Sequence, residues 1–229
     1  MSAITETSQS SVLDVVRRAL GRRNTLSPAP LEPFVEPVIR IEVRELVERF
    51  VDEATAVRAQ VHRVPDNHKL VEKIVEISAA QRGEVAMSGA ELFREIDLPG
   101  ELAAHGLSTF IANQPDHEQL VATLANCSVG VTAADFAIAE TGTIVLSSDE
   151  PNALLVSLLP PVHIALVRSE QMIGTIDEAI RKTGGEKVGR TDPTRSVTMV
   201  TGPSRTSDVE LVLSIGVHGP KELHVIILE

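Results

Sequence analysis

The chain has 229 residues, with 21 Lys and Arg against 32 Asp and Glu for a formal net charge of −11, no Trp or Tyr and five Phe. This length suits one α/β domain, with or without a helical appendage, around an aliphatic core. The acidic balance and the shortage of aromatic platforms argue against nucleic-acid binding, which needs clustered cations for phosphates and rings for bases.

The first residues are polar and lack the basic and apolar regions of a secretory signal, so a cytoplasmic chain is expected. Val12, Leu13, Val15, Val16, Ala19 and Leu20 then recur at helical spacing. Arg17, Arg18, Arg22 and Arg23 lie on or beside the last turn, where the macrodipole favours cations. Pro28, Pro30, Pro33 and Pro37 mark an extended linker. Residues 1–40 therefore read as a helical, proline-rich arm that docks on the body or reaches a partner subunit. Residues 41–229 read as the α/β domain.

From residue 41 the pattern is regular. A helix is predicted over 41–57, with Val43, Leu46, Val47, Phe50 and Ala54 on one face, and a strand over 59–64. Asp66 caps a second helix whose apolar face is Leu70, Val71, Ile74, Val75 and Ile77. Strands follow at 84–87 and 108–112, and Asp116 opens a helix through Leu120, Val121 and Leu124. Further strands are predicted at 129–132, 143–147 and 162–167, and a helix at 175–183 stopped by Gly184-Gly185. Strands at 196–201, 211–215 and 222–228 close the series. The apolar run 153–167 is interrupted by Ser157, Pro160, Pro161 and His163, so no membrane span is expected. Short apolar strands alternating with helices imply a mainly parallel sheet with helices on both faces, some late strands pairing antiparallel.

Cys127 is the single cysteine, so no intramolecular disulfide can form and no iron–sulfur cluster can be ligated by this chain alone. It reads as a buried structural thiol. Three loops carry candidate chemistry. In the first, Glu140 precedes Thr141, Gly142 and Thr143, placing a carboxylate on a tight turn with two hydroxyls and free amides. The alternative is that Asp135 caps a short helix which Glu140 ends. In the second, a strand turns at Gly202-Pro203 and presents Ser204, Arg205, Thr206 and Ser207, with Asp208 behind them. Arg205 there is suited to grip a carboxylate or phosphate, helped by a helix starting near Thr206. It could equally pair with Asp208 or Glu210 beside a plain turn. In the third, His218 stands between glycines as an uncrowded acid or base, or as a structural turn residue. His218, Glu222 and His224 meet no metal-binding spacing, and no dinucleotide-binding, Walker-type or nucleophile-elbow motif occurs. No metal is expected.

Residues 133–143, 201–210 and 216–220, in this order and separation, resemble the LUD (lactate utilisation) domain family, in particular its lactate utilisation protein C branch. The likeness runs from about Val61 to the C-terminus. It implies a fold like ribose-5-phosphate isomerase and the coenzyme A transferases. It also implies a part in oxidising L-lactate to pyruvate, as the non-cluster subunit of a three-protein system whose sister subunits hold the iron–sulfur clusters. The expected ligand is a small carboxylate held by Arg205, Ser204 and Thr206, with His218 or Glu140 as base. Two other readings stay open: a stand-alone acyl or coenzyme A-type transferase using Glu140 as nucleophile, and a pure assembly protein whose loops are stabilising turns.

Overall fold

A computed structural model describes residues 42–147, 152–183, 196–207 and 213–229, together with Val15, Arg18 and Ala19, and at 206–207 and 213–215 only the backbone. The chain divides into two compact units, Met1–Arg40 and Ile41–Glu229. Of the arm predicted over 1–40, Val15, Arg18 and Ala19 are helical and exposed, and the rest lies outside the described residues.

The second unit is built on a six-stranded sheet. Its strands are β1 (Gln60–Val64), β2 (Val85–Met87), β3 (Thr109–Ile111), β4 (Val129–Ala133), β7 (Val162–Arg168) and β12 (Glu222–Leu228). The order is β1-β12-β7-β4-β2-β3, and every neighbouring pair is parallel. A parallel sheet must be covered on both faces, which explains why β4 and β7 are buried along nearly their whole length and are apolar except for Thr132, His163 and the terminal Arg168. One face, through Val85, Met87, Val131, Ile164 and Ile226, packs on α2 (Asn67–Gln81), α3 (Glu91–Glu95) and α4 (Leu98–Ala104). On the other face, Ala165, Val167, Val225 and Ile227 meet Leu46, Val47, Phe50 and Ala54 of α1 (Val43–Ala56). Farther along that face, Ala86 and Ala112 meet α5 (His117–Leu124) and α6 (Ala153–Leu158).

A second sheet lies across α1. It has the order β8-β5-β6-β9, from β5 (Phe136–Ile138), β6 (Thr143–Ser147), β8 (Met172–Ile173) and β9 (Val197–Val200). Alternation sorts its side chains: Ala137, Ile144 and Leu146 face α1, while Ile138, Val145 and Ile173 face Ala179 of α7 (Ile176–Thr183). Helix α1 thus buries its apolar face, Leu46, Val47, Phe50 and Ala54, against residues of both sheets. The last strands, β10 (Arg205–Ser207) and β11 (Leu213–Ile215), form an antiparallel pair.

Asp66 and Asp116 cap their helices as expected, accepting from Lys69 N at 2.8 Å and Gln119 N at 3.1 Å. Two local expectations are overturned. Asp135 caps no helix; it accepts from Ser147 N at 2.8 Å and ties the end of β6 to the start of β5, because residues 136–138 are extended. The helix expected from Thr206 is the strand β10, since its backbone pairs with β11.

Candidate functional site

The geometry begins where α1 ends. Val57–Ala59 turns the chain from α1 into β1, so this corner sits at the amino edge of the parallel sheet, where β7 and β12 also begin. The three candidate loops gather at this edge and not at the carboxyl edge that parallel sheets usually offer to ligands. The reason is topological. The β5–β6 hairpin doubles back over α1, and the Ser204 and His218 loops precede β12 instead of following a parallel strand.

Two glycines seat the loops on α1. Gly142 has φ +61°, and a Cβ on it would lie 2.2 Å from Ala54 N and 2.5 Å from Ala54 Cα. Gly202 has φ +75°, and its Cβ would lie 2.4 Å from the Val57 carbonyl oxygen. Both positions need glycine twice over, for the left-handed backbone and for the close approach. A hydroxyl chain joins the two turns: Thr141 Oγ1 donates to Thr143 Oγ1 at 2.7 Å, which lies 2.7 Å from Thr201 Oγ1. The second and third loops are clasped by backbone. Ser204 N donates to Pro220 O at 2.9 Å, and Gly216 N donates to Ser204 O at 3.0 Å.

The structure therefore brings Thr141, Gly142, Thr143, Gly202 and Ser204 together with the turn that carries His218. Arg205 opens β10 opposite Ile215, directly beside the clasp, and both Arg205 and His218 are exposed. Thr206 pairs with Ser214 through its backbone, and Asp208 lies outside the described residues. Glu140 is committed elsewhere. Its Oε1 accepts from Ile176 N at 2.9 Å, at the amino end of α7, where Thr175 Oγ1 also accepts from Glu178 N at 3.2 Å. A carboxylate there complements the helix dipole.

The contacts of several polar residues at this edge escaped sequence reasoning. His62 on β1 faces His224 on β12, with Glu222 at the second nitrogen of His224. His163 on β7 points to the opposite face and bonds Thr132 Oγ1 at 2.9 Å. Strand parity places Glu222 and His224 on one face, but the partner strand of β12 is not readable from spacing. Among the described residues no group of three His, Cys, Asp or Glu side chains is arranged to hold a metal, and no helix is long and apolar enough to cross a membrane.

Cys127 is 2% exposed, and its Sγ lies 3.4 Å from Thr123 O. Burial, reinforced by the Glu84 carboxylate, pushes its thiol up to about 11. Only the thiolate attacks or ligates, so this thiol is inert at neutral pH. A disulfide reagent should modify Cys127 of the native chain at least about tenfold more slowly than the unfolded chain; equal rates would place the thiol at the surface.

Known proteins share both the sequence pattern and the fold. The LUD domain model matches residues 47–228. The chain belongs to the LUD domain family. Lactate utilization protein C of Shouchella clausii is 28% identical over 233 residues, 96% of each chain. That of Oceanobacillus iheyensis is 32% identical over 111 residues, 48% of this chain and 47% of its own. The chain thus spans about half the length of that relative. Among solved structures, a DUF162 family protein from Deinococcus radiodurans superposes with a TM-score of 0.59 at 23% identity, over 83% of this LUD domain chain and all of the other. At that identity the likeness speaks for the fold alone.

Proposed function

We propose that this LUD domain chain serves lactate utilisation as a subunit without its own redox centre, and that its amino-edge loops receive a small carboxylate such as L-lactate. The observation that carries the reading is the Ser204 clasp, with hydrogen bonds of 2.9 Å to Pro220 and 3.0 Å to Gly216, which sets the turn bearing His218 against Arg205. In a chain of net charge −11 an anion needs a local cation, and Arg205 offers a planar fork suited to a carboxylate. Ser204 and Thr206 flank it in sequence, Ser204 as a hydroxyl donor, and Asp208 follows. Thr141 and Thr143 hold the neighbouring turn in register. Oxidation of lactate to pyruvate releases two protons and two electrons. His218 would accept the hydroxyl proton, the Cα proton would pass to solvent as the C–H bond breaks, and the electron pair would go to iron–sulfur centres that partner subunits hold. The relatives named lactate utilization protein C support the pathway, and a single buried cysteine is compatible with clusters held elsewhere. Glu140 acts here as the helix-capping carboxylate, not as the nucleophile of a transferase.

Calorimetric titration of L-lactate tests the site. Arg205→Ala is expected to weaken binding roughly tenfold or more, the scale of a lost charged hydrogen bond. Unchanged affinity in the variant, or no binding to the parent chain, would remove the carboxylate role. Affinity isolation of the chain from its own cells tests the complex. The expected result is recovery of cluster-bearing proteins that are reduced on adding lactate, and recovery of the chain alone would overturn it.

A further inference from the structure

Among the described residues β1 is an edge strand, joined to β12 in the register Gln60↔His224 through Val64↔Leu228. Along this pair the carboxyl half is apolar, with Val64, Ile226 and Leu228 in or against the core under α2. The amino half is not. There the rings of His62 and His224 meet edge to edge, with centroids 5.4 Å apart and planes 10° from parallel. His62 Nε2 lies 3.1 Å from His224 Nδ1. The other nitrogen of His224, Nε2, lies 3.4 Å from Glu222 Oε2 and 3.4 Å from the Gln60 side-chain amide. His224 is buried and His62 half-buried.

This arrangement dictates where the protons sit. A carboxylate only accepts, so His224 carries its hydrogen on Nε2 and offers Nδ1 as an acceptor. His62 then donates from Nε2, and its own Nδ1 stays bare. Gln60 fits the same pattern once its side-chain amide is flipped to turn the oxygen toward His224. A first added proton goes to Nδ1 of His62 and leaves the hydrogen bond intact. A second has only Nδ1 of His224 left. It abolishes the acceptor and sets two cations edge to edge.

We propose that His62 and His224 form an acid-sensitive clasp on edge strand β1, closed with no added proton or one and opened by the second. The charges facing the pair are few. Glu222 comes from β12, Lys73 and Glu76 from α2, where they pair with each other, and His163 lies across the sheet on β7. Burial first, and then each other's charge and that of Lys73, hold His62 below the ordinary histidine range. Burial likewise lowers His224, against the opposing pull of Glu222. The folded pair therefore binds fewer protons than the unfolded chain, so its stabilisation is present above about pH 6.5 and lost as the pH falls. Opening stays local. Arg63 and Glu229 pair at 2.6 Å, and Glu229 N donates to Val64 O at 2.9 Å, so the carboxyl end of β1 remains fastened. The part released is Gln60–His62 with the Val57–Ala59 corner that seats Gly202. The clasp does not depend on whether the neighbouring loops hold a carboxylate.

Imidazole nitrogen NMR of the full chain, titrated from about pH 7.5 to about pH 4.5, with amide exchange on β1, tests it. The expected result is two coupled steps shared by the two rings. Across the second step, exchange at Val61 and His62 should accelerate about tenfold beyond its intrinsic pH dependence. In His62→Gln, His224 should titrate in one step at higher pH, and exchange on β1 should lose its acid branch. Independent titration of the two rings in the parent chain, or unchanged exchange across the second step, overturns the proposal whether or not the variant folds.

Discussion

Gly142→Ala is expected to cost about 4 kcal/mol of folding stability, more than most single methyl additions, because two penalties add. The first is conformational: at φ +61° an L side chain sits in the left-handed region. The second is steric, and it falls on backbone. The new Cβ would lie 2.2 Å from Ala54 N, 2.5 Å from Ala54 Cα and 2.6 Å from Glu53 C. No rotamer change relieves that overlap, because α1 itself must retreat, and α1 is buried against both sheets through Phe50 and Ala54. Gly106 provides the control. It has φ +78° with nothing within 4 Å of an added methyl, so Gly106→Ala should cost only about 1 kcal/mol. Urea unfolding of both variants makes the comparison. Equal costs would mean that the Thr141-Gly142 turn does not rest on α1, and the shared seat of the candidate loops would go with it.

The contrast between these glycines shows what was legible in the sequence and what was not. Pattern reveals which residues face inward. Leu46, Val47, Phe50 and Ala54 are buried along α1, and Leu70, Val71, Ile74 and Ile77 along α2, as their spacing indicates. Val43, counted on the same face, is the first residue of α1 and is 45% exposed. The β-branched runs of β4, β6, β7 and β12 announce themselves for the reason that both faces are covered. Helices α3 and α4, with five and seven residues, are too short to display a period. In α6 only Ser157 breaks six residues of otherwise apolar sequence, so periodicity cannot separate buried Val156 from Leu158, which is 39% exposed.

Long-range partners were the least legible feature. Thr143 meets Thr201 across 58 positions, Glu140 meets Ile176 across 36, and His62 meets His224 across 162. Composition marked the first two loops as unusual, and Glu140 looked misplaced as the end of a helix. It is instead the anion at the start of another, which removes the electrostatic puzzle. Nothing local distinguishes His62 from a surface histidine on an edge strand. Only the position of β12 beside β1, decided by the whole topology, gives it a partner.

His163 is expected to make the fold acid-labile to a degree visible in ordinary denaturation curves. It is fully buried on β7, between Leu223 of β12 and Gly130 of β4, with Nε2 held 2.9 Å from Thr132 Oγ1. The neighbouring chain comes very close: a Cβ on Gly130 would lie 2.1 Å from the Val156 carbonyl of α6. Water has little room to solvate a charged ring, and burial, aided by His224 across the sheet, pushes its pKa down to about 3 from 6.5. Below about pH 6.5 the unfolded chain takes up a proton that the folded chain refuses, so stability declines as the pH drops. The slope implies a loss of about 2 kcal/mol by pH 5 and about 4 kcal/mol by pH 3. Urea midpoints at about pH 7 and about pH 5 should separate by this amount in the parent chain. His163→Gln keeps a polar group near Thr132 but cannot titrate; it should be less stable at neutral pH and should lose about 2 kcal/mol of the parent's change between about pH 7 and about pH 5, leaving the part due to His62 and His224. His62→Gln, measured alongside, subtracts the clasp on β1. If His163→Gln retains the full acid dependence, then His163 is protonated readily in the fold, and the sheet at that point is more open to water than its packing indicates.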